Sequence, residues 1–170
     1  MVIGGGIIAL RKVRGLIQAG ASVRLISPRA HSGLKGLSSR GRIEWRRRTY
    51  RSGDLKGAVL VFGATGDSTV NARICREARR LRLPVNIVDA PALCSFTVPA
   101  RISRGDLLVT LSTGGASPAL AKKLRQQVER LFGPEYTPLT RLLSRIRNKK
   151  RGGLLDRGRV RRLTELVKGL

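Results

Sequence analysis

The sequence predicts an α/β fold: a doubly wound parallel sheet, then a small strand-plus-helix region and a helical carboxyl-terminal part. Three observations carry that expectation. Val2-Ile3, the end of an apolar strand, runs straight into Gly4-Gly5-Gly6 and a helix-forming segment. Two β-α-β successions follow one another, the order that a parallel sheet requires. The run Ala58 to Ala64 (AVLVFGA) is almost wholly apolar, as a central strand covered on both faces must be.

In chain order, Met1 to Ile3 closes the first strand, so either the sheet is short there or the strand begins upstream. The helix behind it carries Ile8, Val13, Leu16 and Ile17 on one face and stops at Gly20. Ser22 to Ser27 (SVRLIS) reads as the second strand, ended by Pro28. Residues 29–42 are rich in Ser, Gly and Arg and predict loop with a weak helix, in which His31 is a solvated loop residue. Ile43 to Arg47 is a short strand, Ile43 and Trp45 alternating with charged neighbours. Asp67 or Ser68 caps a helix from Thr69 to Leu81, and Pro84 forces a break before the strand Val85 to Val88.

Past Pro91 the pattern changes. Leu107 to Ser112 is a strand, and Ser117-Pro118 opens a helix as N-cap and first helical residue. Leu120, Leu124, Val128 and Leu131 form its apolar face, and Gly133-Pro134 stops it. Two very basic helices, Leu139 to Ile146 and Val160 to Val167, complete the chain. The expected division is 1–98 for the sheet domain, 99–133 for the strand-plus-helix region and 134–170 for the helical end.

Composition narrows the function classes. Hydrophobic residues make up 41% of the 170, enough for a folded core, but aromatics are only 4%, so that core is aliphatic. No apolar run is long enough to span a membrane, and no signal-peptide pattern opens the sequence, which points to the cytoplasm. Cys75, Cys94 and His31 lack metal-site spacing, so no bound metal is expected, and Cys75 reads as a buried filler. The net charge of +25 suggests nucleic acid. Its two clusters, Arg40, Arg42, Arg46, Arg47, Arg48 and Arg51 and the tail from Arg141, lack the interleaved aromatics of a strand-binding surface. Solvated faces or a strongly anionic small ligand account for them as well, and a basic nucleic-acid module stays as a competing reading.

Three turns could carry chemistry. Gly4-Gly5-Gly6-Ile7-Ile8-Ala9 fits G-x-G-x-x-A: a tight turn, a backbone that lets a pyrophosphate approach, and a small residue where helix meets strand. The helix N-terminus then faces the phosphates; a merely tight turn is the alternative. The acid that usually holds the ribose at the end of the second strand is missing, and Ser27-Pro28-Arg29 stands there, with Arg29 able to face a 2′-phosphate. Asp89 follows the strand Val85 to Val88, at the carboxyl edge where ligands of such sheets bind, and is either a proton acceptor or metal partner, or a turn former before Ala90-Pro91. Ser112-Thr113-Gly114-Gly115-Ala116-Ser117-Pro118 offers hydroxyls and amides to carboxylates or phosphate, or simply caps the next helix.

The succession VIGGG, GATGDSTVN (Gly63 to Asn71), VNIVDAPALCSF (Val85 to Phe96), PA…RG (Pro99 to Gly105) and LSTGGASPALAKKLR (Leu111 to Arg125) closely resembles the precorrin-2 dehydrogenase and sirohydrochlorin ferrochelatase family, the amino-terminal module of siroheme synthases. The resemblance runs in register to about residue 132 and is loose beyond. It implies a Rossmann-type domain, a dimerisation region and a helical domain, acting as a homodimer. It implies NAD-dependent oxidation of precorrin-2 to sirohydrochlorin, with ferrous iron as the substrate of a second reaction in some members. By position, Asp89 is the catalytic acid-base group; Gly4, Gly6, Ile7, Ile8, Pro28, Arg29 and Thr65 hold NAD; and Ser112, Thr113, Gly114, Gly115 and Ser117 border the substrate. Gly66 departs from the family, which commonly has an acid there. A tetrapyrrole- or NAD-binding protein without activity is the remaining alternative.

Overall fold

The structure, a computed structural model, describes residues 1–151. The chain forms two compact units, Met1–Thr97 and a second beginning at Val98. The basic helix expected at Val160 to Val167 lies outside the described residues.

The first unit is a five-stranded parallel sheet in the order β3-β2-β1-β4-β5, with β1 at Val2–Ile3, β2 at Arg24–Ile26, β3 at Glu44–Arg46, β4 at Val61–Gly63 and β5 at Val85–Ile87. Helices α1 (Ile7–Gln18), α2 (Ser32–Ser39) and α3 (Ser68–Arg80) connect them. The sheet is buried on both sides, and the period-2 alternation of its strands sorts the side chains. Val2, Leu25 and Phe62 join Ala9, Leu10 and Val13 of α1 in one core, while Ile3, Ile26 and Val61 join Ile74 and Ala78 of α3 in the other. Cys75 is buried, as its apolar position predicts.

Three differences from the sequence reading have physical causes. Ala58, Val59 and Leu60 precede the sheet rather than extend it, because β4 has ladder partners only from Val61 onward; Val59 is 86% exposed. Residues 29–42 contain a regular helix, α2, because His31 caps it: its Nδ1 accepts from the Gly33 N–H at 3.0 Å. His31 is exposed, yet it is a structural cap and not a free loop residue. Part of the basic cluster is likewise structural, with Arg46 on Glu44 at 2.7 Å and Arg48 held to Asp54 by both nitrogens at 2.7 and 2.6 Å.

Helix α3 ends in a Schellman motif, Leu83 N–H donating to the Ala78 carbonyl at 2.9 Å and Arg82 N–H to the Arg79 carbonyl at 3.0 Å. The motif needs a left-handed residue, and Arg82 fills that position at φ 54°. Since a left-handed conformation costs a residue with a Cβ about 1 kcal/mol, Arg82→Gly is expected to stabilise the fold by about 0.5–1 kcal/mol in urea unfolding.

The second unit opens with a strand that the sequence pattern does not reveal, β6 (Ala100–Arg104), paired antiparallel with β7 (Leu107–Leu111). Only Ile102 of β6 is buried, so no apolar alternation marks it. Helix α4 (Pro118–Glu129) begins as expected, with the Ser117 Oγ accepting from the Leu120 N–H at 3.2 Å. Its buried residue is Ala121, against the hairpin, whereas Leu120, Leu124 and Leu131 of the expected core face are 48%, 36% and 69% exposed. Helix α5 spans Tyr136–Arg151.

Candidate functional site

The carboxyl edge of the parallel sheet holds a cleft of about 600 Å³, walled by Gly4–Gly6 after β1, Ser27 to His31 after β2, Thr49 and Tyr50 after β3, and Ala64 to Asp67 after β4. The three glycines do three different jobs. Gly4 sits at φ +112°, and a Cβ there would lie 2.1 Å from the Ala64 carbonyl oxygen. A Cβ on Gly5 would lie 2.0 Å from the Arg29 carbonyl oxygen, because the loop after β2 crosses the turn here, tied by the His31 N–H donating to the Gly5 carbonyl at 2.8 Å. Gly6 has an ordinary φ of −80°, and a Cβ there would meet nothing within 4 Å.

Packing and backbone conformation therefore explain Gly4 and Gly5, and neither explains Gly6. Empty space over the first turn of α1 does, because a pyrophosphate needs that approach. No side chain caps α1, so its first-turn N–H groups face that space with the positive end of the helix dipole. These residues fit a dinucleotide.

Around the cradle, Thr65 Oγ1 donates to Asn71 Oδ1 at 2.7 Å and accepts from the Asp67 N–H at 3.3 Å. Asp67, the observed cap of α3, accepts from Thr69 and Val70 N–H at 2.8 and 3.1 Å. This network fixes the β4 wall. Gly66 beside it is exposed, and a Cβ there would meet nothing within 4 Å.

Sequence reasoning missed Thr49 and Tyr50 as wall residues. The loop after β3 (RRRTYRSGD) has no periodicity, and only the tertiary fold brings it to the cleft. Buried carboxylates hold it there. Tyr50 donates its hydroxyl to Glu77 of α3, and the Gly53 N–H donates to the same carboxylate at 2.9 Å. Burial first, and the Glu77 contact second, push the Tyr50 phenol well above its usual range, so it remains a donor at neutral pH. Asp54 is buried and accepts from Arg48 and from the Arg51 N–H at 2.7 Å. The Arg48 hydrogen bonds hold its carboxyl below the usual carboxylate range.

That depression has a pH consequence. The folded-state pKa of Asp54 lies below its unfolded value of about 3.9, so its stabilisation is complete above that pH. It is lost as pH falls from there through the folded value. Asp54→Asn is therefore expected to cost about 1–2 kcal/mol at neutral pH and to flatten the acid limb of a stability–pH curve.

Of the residues expected to hold cofactor, Gly4, Gly6, Pro28, Arg29 and Thr65 line the cleft. Ile7 and Ile8 form the first turn of α1, with Ile7 62% exposed. Asp89 stands past the end of β5, on the same carboxyl edge but not among the cleft's wall residues. It is exposed, holds φ 58°, and makes no hydrogen bond or ion pair among the described residues. In the second unit, Ser112, Thr113, Gly114, Gly115 and Ser117 form one turn. There Thr113 Oγ1 accepts from the Ser117 N–H at 3.0 Å, Ser112 Oγ accepts from the Gly114 N–H at 3.2 Å, and both glycines have positive φ. The hydroxyls hold the turn, and Ser112, Gly114 and Gly115 remain exposed. Among the described residues, no group of three or more His, Cys, Asp or Glu is placed to hold a metal ion, and no helix is long and apolar enough to cross a membrane.

Fold and cradle together define an NAD(P)-binding Rossmann protein. The comparisons with known proteins agree: the NAD(P)-binding family model NAD_binding_7 matches residues 1–100, and the model described as sirohaem biosynthesis protein central matches residues 104–131. The chain belongs to this NAD(P)-binding family. It is 42% identical over 156 residues to the siroheme synthase of Pseudomonas paraeruginosa, covering 92% of this chain and 34% of that protein. The figures for the siroheme synthase of Methylobacillus flagellatus are 44% over 147 residues, 86% and 32%. The chain thus spans about a third of the length of these curated relatives. A solved structure titled SirC, precorrin-2 dehydrogenase, superposes with a TM-score of 0.80 at 28% identity, over 98% of this chain and 82% of that one.

Proposed function

We propose that this chain oxidises precorrin-2 to sirohydrochlorin with NAD, the expected catalytic group being Asp89. One observation carries the reading. An exposed aspartate without a hydrogen-bond or ion-pair partner among the described residues stands in a left-handed conformation at the carboxyl edge of the sheet that also bears the phosphate cradle. Aspartate is one of the few residues with a Cβ that visit this conformation readily, and functional sites are among the places where it recurs. The likeness to SirC over most of both chains supports the same reaction.

The bound nicotinamide would supply a two-electron acceptor for hydride. The chain's own part is to seat the pyrophosphate over Gly6 and the first turn of α1, to leave the Asp89 carboxylate available, and to take up the proton released with the hydride. The substrate's acetate and propionate rim suits a basic surface, each exposed pair contributing about 1 kcal/mol or less but several together orienting the ligand. The test is purified chain with NAD and precorrin-2 under exclusion of oxygen. Formation of NADH with sirohydrochlorin absorbance is the expected result; NAD binding without turnover would reduce the chain to a binding protein.

Ferrous iron insertion into sirohydrochlorin is proposed as a second reaction, iron being a substrate there. Loss of the sirohydrochlorin spectrum on adding ferrous ion is its measurement. We also propose a homodimer, located in the cytoplasm. Support for the dimer comes from the second unit, where Leu120, Leu124 and Leu131 at helical spacing, and Leu108 of β7, are exposed among the described residues, since an exposed apolar face marks an interaction surface. Leu124→Asp is expected to shift the sedimentation of the protein toward the monomer.

A further inference from the structure

We propose that the ribose end of this cleft accepts a 2′-phosphate, so that the chain binds NADP as well as NAD; this rests on the dinucleotide reading above. In dinucleotide folds of this type, a carboxylate about 20 residues after the glycines takes the ribose 2′-hydroxyl and repels a phosphate on it, whereas an arginine nearby accommodates that phosphate. Here the end of β2 carries Ser27, Pro28 and Arg29. Ser27 is buried and donates its hydroxyl to the Arg29 carbonyl at 2.5 Å, which fixes the backbone that bears the Arg29 side chain.

Among the described residues, no free carboxylate lines the cleft to oppose an anion. Asp67, the one acidic residue on the cleft wall, is committed to the α3 amides. On and after β3, Glu44 is shared by Arg24 and Arg46, and Asp54 is taken by Arg48. Arg29 and Arg47 have no carboxylate partner among the described residues. Arg47 is brought to the same corner indirectly. The Trp45 indole N–H donates to the Ser27 carbonyl at 2.9 Å, and the Arg47 guanidinium lies 4.7 Å from the centroid of that indole. Among the described residues, two guanidiniums without a carboxylate partner thus stand near the end of β2, Arg29 on the cleft wall and Arg47 stacked on Trp45, with His31 also on the wall.

The expected size is modest, because both arginines face solvent. Charge-assisted bonds to a phosphate in such a place are worth about tenfold in affinity. The experiment is calorimetric titration of the purified chain with NAD and, separately, NADP, at low and moderate salt. NADP is expected to bind within about tenfold of NAD, and to lose affinity more steeply than NAD as salt rises. In Arg29→Ala the ratio of NADP to NAD affinity is expected to fall about tenfold, with Arg29→Lys in between. NADP binding about a hundredfold or more weaker than NAD to the unmodified chain would overturn the proposal and leave the NAD reading intact. An unchanged ratio in Arg29→Ala would overturn it too. If neither nucleotide binds, the dinucleotide reading itself falls.

Discussion

Gly6→Val is expected to lose NAD binding by about a hundredfold or more, close to 3 kcal/mol, while folding nearly as well as the parent. The reason is the open space over that residue: its backbone is extended at φ −80° and ψ −174°, and a side chain there meets nothing of the protein within 4 Å. A branched side chain would occupy the volume through which a pyrophosphate reaches the α1 amides. The stability cost is limited to a poorer helix cap, under about 1 kcal/mol. Gly4→Ala is the opposite case. Its Cβ would lie 2.1 Å from the Ala64 carbonyl oxygen, between two central strands, at a φ of +112°. Strain of about 1–3 kcal/mol adds to a backbone displacement, so a loss of more than about 3 kcal/mol is expected in urea unfolding. If Gly6→Val bound NAD normally, the cradle would have no ligand; if it unfolded, Gly6 would be a structural glycine.

Asp89→Asn is expected to lower precorrin-2 oxidation by about a hundredfold or more, the range for loss of a general base, with NAD affinity within about twofold. The substitution is a clean one. Asparagine adopts the left-handed conformation about as readily as aspartate, and the native carboxylate holds no contact among the described residues that the amide would break. Asp89→Ala adds a backbone penalty of about 1 kcal/mol and serves as the less selective companion. Asp89 is not among the wall residues of the cradle, which is why binding and turnover should separate. Full turnover in Asp89→Asn would remove this residue from the chemistry and shift attention to hydroxyls of the turn at Ser112.

The parallel sheet was legible because its determinants are local and strong. The apolar run into β4, the glycine run, Pro84 and the Asp67 cap all act within a few residues of where they stand. The hairpin strand β6 was not legible, since one buried residue in five leaves no alternation to detect. The face of α4 was misjudged for a related reason: four apolar positions at helical spacing say that a surface is to be covered, but not by what. Within the described residues that surface stays open, and the smaller Ala121 is the buried residue of α4, the helix that packs on the hairpin.

For the site, the sequence alone determined that three consecutive glycines follow a strand, that an aspartate ends another strand of the same sheet, and that no acid stands after β2. Those facts follow from order along the chain. Only the tertiary structure decided which glycine serves the ligand, because a Cβ clash depends on what another segment places opposite: Ala64 for Gly4, Arg29 for Gly5 and nothing for Gly6. Only the fold, too, brought Thr49 and Tyr50 to the cleft, through buried carboxylates on α3 and in the loop itself, and left Arg29 and Arg47 without a carboxylate partner among the described residues by assigning Glu44 and Asp54 to other arginines. Pairing is a matter of distance in space, and the order of residues along a chain does not fix it.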